Sequence, residues 1–177
     1  MPRKLIESTF VTLDGVIENP QDWSAPYWDE EHLAHSQMLL DRADALVLGR
    51  ATFEVFASYW PAQSGDPYAD KLNAMPKHVA SRTLDRADWN ATVLEGDAAA
   101  AVAALKDGPG DELLKFGTGE LDRALLAQGV IDELHLWVLP VMVGSGQRLL
   151  DDIETMHLDL VDLTRFESGV VVLTLVP

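Results

Sequence analysis

The chain has 177 residues, 47% hydrophobic and 24% charged, with 29 acidic against 13 basic side chains and no cysteine. That length suits one domain over residues 1–177 with a core that needs no metal or disulfide staple. The lack of cysteine excludes disulfides, thiolate zinc sites and a cysteine nucleophile, and the net charge of −16 argues against nucleic acid as a partner.

No apolar run approaches the ~20 residues of a membrane span, and "MPRKLIESTFVTLDG" reads as a first strand rather than a signal peptide. No membrane partner and a cytoplasmic location are therefore expected. In chain order, a strand is predicted over Lys4–Leu13, then the aromatic and acidic loop "ENPQDWSAPYWDEE" (Glu18–Glu31) and a helix over Glu30–Arg42. Strand Ala45–Leu48 runs into "GRATFEVF" and a helix over Thr52–Trp60, followed by a helix over Pro67–Ala74. Strand His78–Ser81 enters "SRTL", and strand Ala91–Leu94 precedes a helix over Asp97–Lys106 capped by Asp97. Strand Leu113–Phe116 meets "GTGEL" and a helix over Glu120–Gln128, stopped by Gly129. Strands Glu133–Val143, His157–Asp162 and Val170–Val176 end the chain. Strands alternating with helices imply βαβ units and a largely parallel α/β sheet, while the last strands are too close for crossover helices and should be antiparallel.

Ligands on such sheets bind outside the carboxyl ends of the strands. Three strand ends carry residues suited to anions. Gly49 can take a positive φ, Arg50 has a planar fork for phosphate, and Thr52 lies in a first helical turn. Ser81 and Arg82 pair a hydroxyl with a guanidinium. Gly117 and Gly119 permit close backbone approach where a helix begins, although Asp122 stands where a full G-x-G-x-x-G would have its third glycine. Each feature also has a bland reading as a turn, a cap or a solvated side chain. Arg50, Lys77, Arg82, Arg86 and Lys115 lie in or beside these ends, a modest concentration of cations that suggests a ligand with several phosphates.

The motifs "TLDGVI", "LVLGRATFE", "KHVASRTL", "LLKFGTGEL" and "VIDELHLWVLPVMVGSGQRLL" together resemble the dihydrofolate reductase-like superfamily, and within it the riboflavin-biosynthesis reductase domain, the C-terminal half of the bifunctional deaminase-reductase. The resemblance implies a three-layer fold: a mixed, mainly parallel sheet flanked by helices, with antiparallel C-terminal strands. It implies a homodimer that binds NADPH and reduces a small-molecule substrate such as 5-amino-6-(5-phosphoribosylamino)uracil. By position, Gly49, Arg50 and Thr52 match the phosphate-binding turn, and Ser81 and Arg82 the segment beside the adenosine 2′-phosphate. Gly117, Thr118, Gly119 and Glu120 match the loop at the pyrophosphate and nicotinamide, and Leu13, Asp14 and Gly15 the segment covering nicotinamide and substrate. Asp14 or water is the candidate proton donor. Two alternatives remain open: a binding module that kept the fold without turnover, and a reductase of another pterin-like or carbonyl substrate.

The sequence departs from a true dihydrofolate reductase, whose pterin-binding carboxylate would fall near Leu33, with Asp29, Glu30 and Glu31 off register. Neither folate reduction nor a deaminase half is expected, the latter because no cysteine-based zinc motif is present. His32 and His35 lie three apart on a helix but lack a convincing third ligand, so no metal is expected, and His135 reads as structural. Trp23, Tyr27 and Trp28 could stack on a planar heterocycle, anchor their loop or meet a second subunit. Gly144, Ser145 and Gly146 read as a turn near the cofactor or a dimer edge.

Overall fold

A computed structural model describes Pro2–Pro177. Its strands are β1 (Leu5–Thr12), β2 (Ala43–Gly49), β3 (Lys77–Ala80), β4 (Ala91–Val93), β5 (Glu112–Phe116), β6 (Glu133–Leu139), β7 (Asp159–Arg165) and β8 (Val171–Val176). The α-helices are α1 (Glu30–Arg42), α2 (Arg50–Tyr59), α3 (Pro67–Ala74), α4 (Ala98–Lys106) and α5 (Glu120–Ala127). They begin where capping chemistry predicts. Asp29 accepts from the His32 amide at 2.9 Å and Asp97 from the Ala100 amide at 2.8 Å. Asp66 accepts from the amides of Tyr68 and Ala69, with Pro67 in the first helical position.

The strands form one eight-stranded sheet in the order β4-β3-β2-β5-β1-β6-β8-β7. From β4 to β6 every pairing is parallel; β8 runs antiparallel to β6, and β7 antiparallel to β8. Helices cover both faces of the parallel part. Leu39 and Leu40 of α1, Phe53 of α2 and Leu72 of α3 pack with Ile6, Leu46, Leu48, Leu114 and Trp137 on one face. On the other, Val102 of α4 and Leu125 of α5 pack with Leu5, Val47 and Leu113. Alternate residues of β2 thus feed two cores, which is why the strand reads as a continuous apolar run.

Most predicted strand limits move by one or two residues, and the larger shifts are at β6 and β7. β6 ends at Leu139, because Pro140 has no N–H for the ladder. β7 starts at Asp159 and reaches Arg165, with its pairing to β8 shifting register between Leu160 and Asp162. β7 is also solvent-facing, with Leu160, Val161 and Leu163 each more than half exposed.

Candidate cofactor and substrate site

The carboxyl ends of β3, β2, β5, β1 and β6 lie in that order along one rim of the sheet. The loops that follow them touch. Arg50 Nη1 donates to Thr83 Oγ1 across from the β3 turn. Arg82 Nη2 lies 3.0 Å from Glu120 Oε2 at the start of α5. A Cβ built on Gly117 would meet Thr52 Oγ1 at 2.9 Å. The turns after β2, β3 and β5 thus meet one another through the side chains Arg50, Thr52 and Arg82.

The glycines divide by role. Gly117 has φ +72°, which a side chain rarely tolerates, and sits against Thr52. Gly119 has φ −165°, and Gly49 has φ −71° rather than the positive φ that the sequence allowed; both conformations suit any residue. No neighbour lies within 4 Å of a Cβ built on Gly49 or Gly119. The fold therefore requires Gly117, while Gly49 and Gly119 border open space. The amides of Gly117 and Gly119 are already used: they donate to Ser8 O at 3.0 Å and to Asp122 Oδ2 at 2.6 Å. The amides of Glu120 and Leu121, in the first turn of α5, have no intrahelical partner.

Two of the five cations noted in the sequence are withdrawn from this rim. Lys77 Nζ donates to the carbonyls of Leu72, Asn73 and Met75 at 2.6–3.1 Å, closing the end of α3, and lies 4.0 Å from the Trp89 ring centroid. Its burial lowers its pKa to about 8. Lys115 is sealed beneath the Gly117–Glu120 turn, 2.7 Å from Asp122 Oδ1 and 3.9 Å from Glu7 Oε2, and donates to Gly117 O. Both lie on strands whose side chains are covered by helices, where a lysine is retained only with fixed partners. Arg50 and Arg82 remain, half-exposed and exposed, with Arg50 Nε also 2.8 Å from Glu54 Oε1. Arg86 is exposed and paired with Asp88 at 3.2 Å. Ser81 Oγ accepts from the amides of Thr83 and Leu84 at 3.2 and 3.1 Å, so it shapes its own turn. Thr118 Oγ1 points inward, 2.7 Å from Glu7 Oε1 and 2.7 Å from Thr9 Oγ1.

At the end of β1, Leu13 is 63% exposed and Gly15 takes φ +85°. Asp14 accepts from Thr12 Oγ1 at 2.6 Å, from the Gly144 amide at 2.8 Å and from the Val143 amide at 3.3 Å. The Thr12 hydroxyl first, then these amides, hold its carboxyl below the ordinary range. In this arrangement Asp14 is a hydrogen-bond acceptor from one hydroxyl and two amides. The segment "VGSGQRLL" is the strap that makes this possible. Val16 bridges to Arg148, Ile17 N donates to Gln147 O, Leu149 N to Gly15 O, and Arg148 Nη1 to Asp14 O. A Cβ on Gly146, whose φ is +129°, would come within 2.8 Å of Val16.

Trp23 and Trp28 diverge. Trp23 donates to Glu18 O at 3.0 Å and lines, with Glu18, Asp22, Val143 and Ser145, an open cavity of about 400 Å³. Trp28 stacks on His32, ring centroids 5.1 Å apart, so one face is taken by its own chain. Leu33 is half exposed, whereas its neighbour His32 is buried. His32 lies among Phe10, Trp28 and Trp137, and burial lowers its pKa to about 4. It is a neutral ring, not a carboxylate. His35 is likewise lowered to about 4, first by burial and then by His135. His135 leans on Glu133 at 2.6 Å, and Arg42 joins Glu133 and Glu112 from the end of α1. Nothing in the sequence pattern pointed to this brace.

A mixed sheet with arginines and glycine turns at the carboxyl rim of its parallel strands defines a protein of the dihydrofolate reductase-like fold. The sequence matches the RibD C-terminal domain over residues 3–172, and the chain belongs to that reductase-related family. It is 29% identical over 178 residues to the uncharacterized protein YyaP of Bacillus subtilis (strain 168), covering 96% of this chain and 92% of YyaP. A structure named for riboflavin biosynthesis, from Shewanella sp. PV-4, superposes with a TM-score of 0.75 at 22% identity over 99% of this chain and 98% of that one. The diaminohydroxyphosphoribosylaminopyrimidine deaminase/5-amino-6-(5-phosphoribosylamino)uracil reductase of Thermotoga maritima superposes with a TM-score of 0.66 at 14% identity, over 99% of this chain and 57% of that one. Among the described residues no helix is long and apolar enough to cross a membrane.

Proposed function

We propose that the chain is an NADPH-dependent reductase that delivers hydride to a small heterocyclic substrate resembling 5-amino-6-(5-phosphoribosylamino)uracil. The observation that carries this reading is the pair of glycines bordering open space. Neither φ nor packing requires glycine at 49 or 119, whereas a phosphate approaching the backbone does. The residues present fit the cofactor. Arg50, Thr52 and the first turn of α2 face one phosphate, and Arg82 with Ser81 suits the 2′-phosphate. The first turn of α5 takes the pyrophosphate. Glu120 would release Arg82 to a phosphate, one exposed anion exchanging for another.

The bound cofactor supplies the hydride, and the chain supplies position and a shielded rim. Leu13 lies over the rim at the end of β1, with Gly15 allowing the sharp turn behind it. Asp14, ionised and strapped to Gly144, fixes that lid rather than moving a proton. A phosphate-bearing substrate also needs a cation, and Arg148, which reaches the carbonyl of Asp14, is the candidate. Trp23 and the exposed face of Trp28 offer stacking surface.

A calorimetric titration with NADPH and NADH side by side tests the reading. Tight NADPH binding with much weaker NADH binding is expected; binding of neither overturns it. Turnover on a panel of aminopyrimidine and carbonyl compounds then separates a reductase from a binding module. Self-association through the β7 edge is part of the proposal, supported by its exposed Leu160, Val161 and Leu163. A solution mass near the 19.4 kDa of one chain would reject it.

A further inference from the structure

Directly beneath the Gly117–Glu120 turn, three ionisable side chains are shut away together: Glu7 of β1, Lys115 of β5 and Asp122 of α5, each with no more than 2% of its side chain exposed. Their charges do not balance if all are ionised, since two carboxylates face one ammonium. A surplus buried charge costs several kcal/mol by the usual desolvation argument. The hydrogen bonds point to where neutrality is reached. Glu7 Oε1 takes the Thr118 hydroxyl at 2.7 Å, but Glu7 Oε2 has no donor, and Asp122 Oδ1 has only the Lys115 ammonium, 2.7 Å away. The two carboxyl groups are in side-chain contact. A single proton on Glu7, directed at Asp122, gives Oε2 a partner and leaves the cluster neutral. Asp122 Oδ2 meanwhile accepts from the Gly119 amide at 2.6 Å, and Lys115 donates to Gly117 O. Every residue from Gly117 to Gly119 is thus tied to the cluster through one atom.

We propose that Glu7 is a positioning residue of this turn: it keeps a proton at neutral pH, donates it from Oε2 to Asp122 Oδ1, and so locks Thr118 and Gly119 in the conformation that faces the rim. The charged groups facing Glu7 are Lys115 and Asp122; on β6 its neighbour in register is the apolar Leu134. Burial raises the Glu7 carboxyl well above its ordinary 4.5; the Lys115 ammonium opposes this, and the bond to Asp122 reinforces it. The folded value lies above the unfolded one. The contribution of Glu7 to stability is therefore complete below the ordinary value and is lost as pH climbs through the folded value. The bearing on cofactor binding rests on the reductase reading; the protonation and the order of the turn do not.

The test compares wild type, Glu7→Gln and Glu7→Leu from about pH 5 to about pH 9 by thermal midpoint and by amide hydrogen exchange at Gly117–Leu121. NADPH is then titrated at the same pH values. A glutamine supplies the same donor and acceptor without titrating. Glu7→Gln is expected to keep wild-type protection of the turn at neutral pH and to lack the alkaline decline in midpoint and protection that wild type has. Glu7→Leu is expected to lose the protection at every pH. NADPH affinity should fall at least threefold towards alkaline pH in wild type and stay level in Glu7→Gln. The proposal is overturned if Glu7→Gln shares the wild-type alkaline slope, or if its turn exchanges as fast as that of Glu7→Leu at neutral pH. If no variant binds NADPH but the slopes differ as stated, Glu7 positions the turn and the cofactor reading falls.

Discussion

On the inner side of the Gly117–Glu120 turn, Lys115 meets Asp122 at 2.7 Å with both side chains sealed from water. On its outer side, Arg82 meets Glu120 at 3.0 Å with both side chains largely exposed. The chemistry is the same and the consequences are opposite. A sealed pair cannot exchange partners without leaving a bare charge in the interior, so it fixes backbone. An exposed pair is worth little and exchanges readily, so its arginine is free to take a phosphate in place of a carboxylate. Proximity of a lysine or arginine to a strand end therefore says nothing about ligand binding until its covering is known.

The largest effect should come from breaking the sealed side. Lys115→Met strands the Asp122 charge and should lower stability by about 3–5 kcal/mol, read from chemical denaturation; a loss below about 1 kcal/mol would mean the cluster neutralises itself without the ammonium. Next is Gly117→Ala, which forces a side chain into a left-handed conformation against Thr52, at a cost of about 1–3 kcal/mol. The outer side should respond in binding instead. Arg50→Ala removes only exposed contacts, so stability should change by less than about 1 kcal/mol while NADPH affinity drops about tenfold, about 1.4 kcal/mol. Unchanged affinity would show that Arg50 does not face phosphate. The smallest change in stability should be that of Gly119→Ala, within about 0.5 kcal/mol. If that variant also binds NADPH normally, the open space beside Gly119 is not a phosphate path, and the contrast between the two glycines loses its functional meaning.

The order of elements was legible because each strand and helix carries its own local signal. The α1 limits Glu30–Arg42 follow from Asp29 as cap and from the change to an apolar run at Ala43. The rim was legible too, since Arg50, Thr52, Arg82 and Gly117 sit just past strand ends, where topology brings them together. What misled was depth. Lys115 looks like a rim cation by position, yet its side chain is sealed against Asp122 of α5, while Lys77 begins β3 at the end away from the rim. The signal was available in "ELLKF", where a lysine interrupts a run too apolar to meet water. The brace of Arg42 with Glu112 and Glu133 had no such signal, because its members lie 70 and 91 positions apart. The inward turn of Thr118 was equally hidden, since a threonine between two glycines reads as a ligand contact until its hydroxyl is seen facing Glu7.

β1 lies between β5 and β6, and the lid after β1 is strapped by residues 141–149. During synthesis the first strand therefore leaves the ribosome with neither neighbour yet made. Glu7, Ser8 and Thr9 must wait in water until Glu112–Phe116 and then Glu133–Leu139 arrive. Closure of the rim belongs to the last stage of production, and the loop-closure entropy of joining such distant segments makes it slow. A chain halted before residue 140 would lack Phe166, Val170 and Val172 of the core beneath α1, together with the strap that holds the turn after β1.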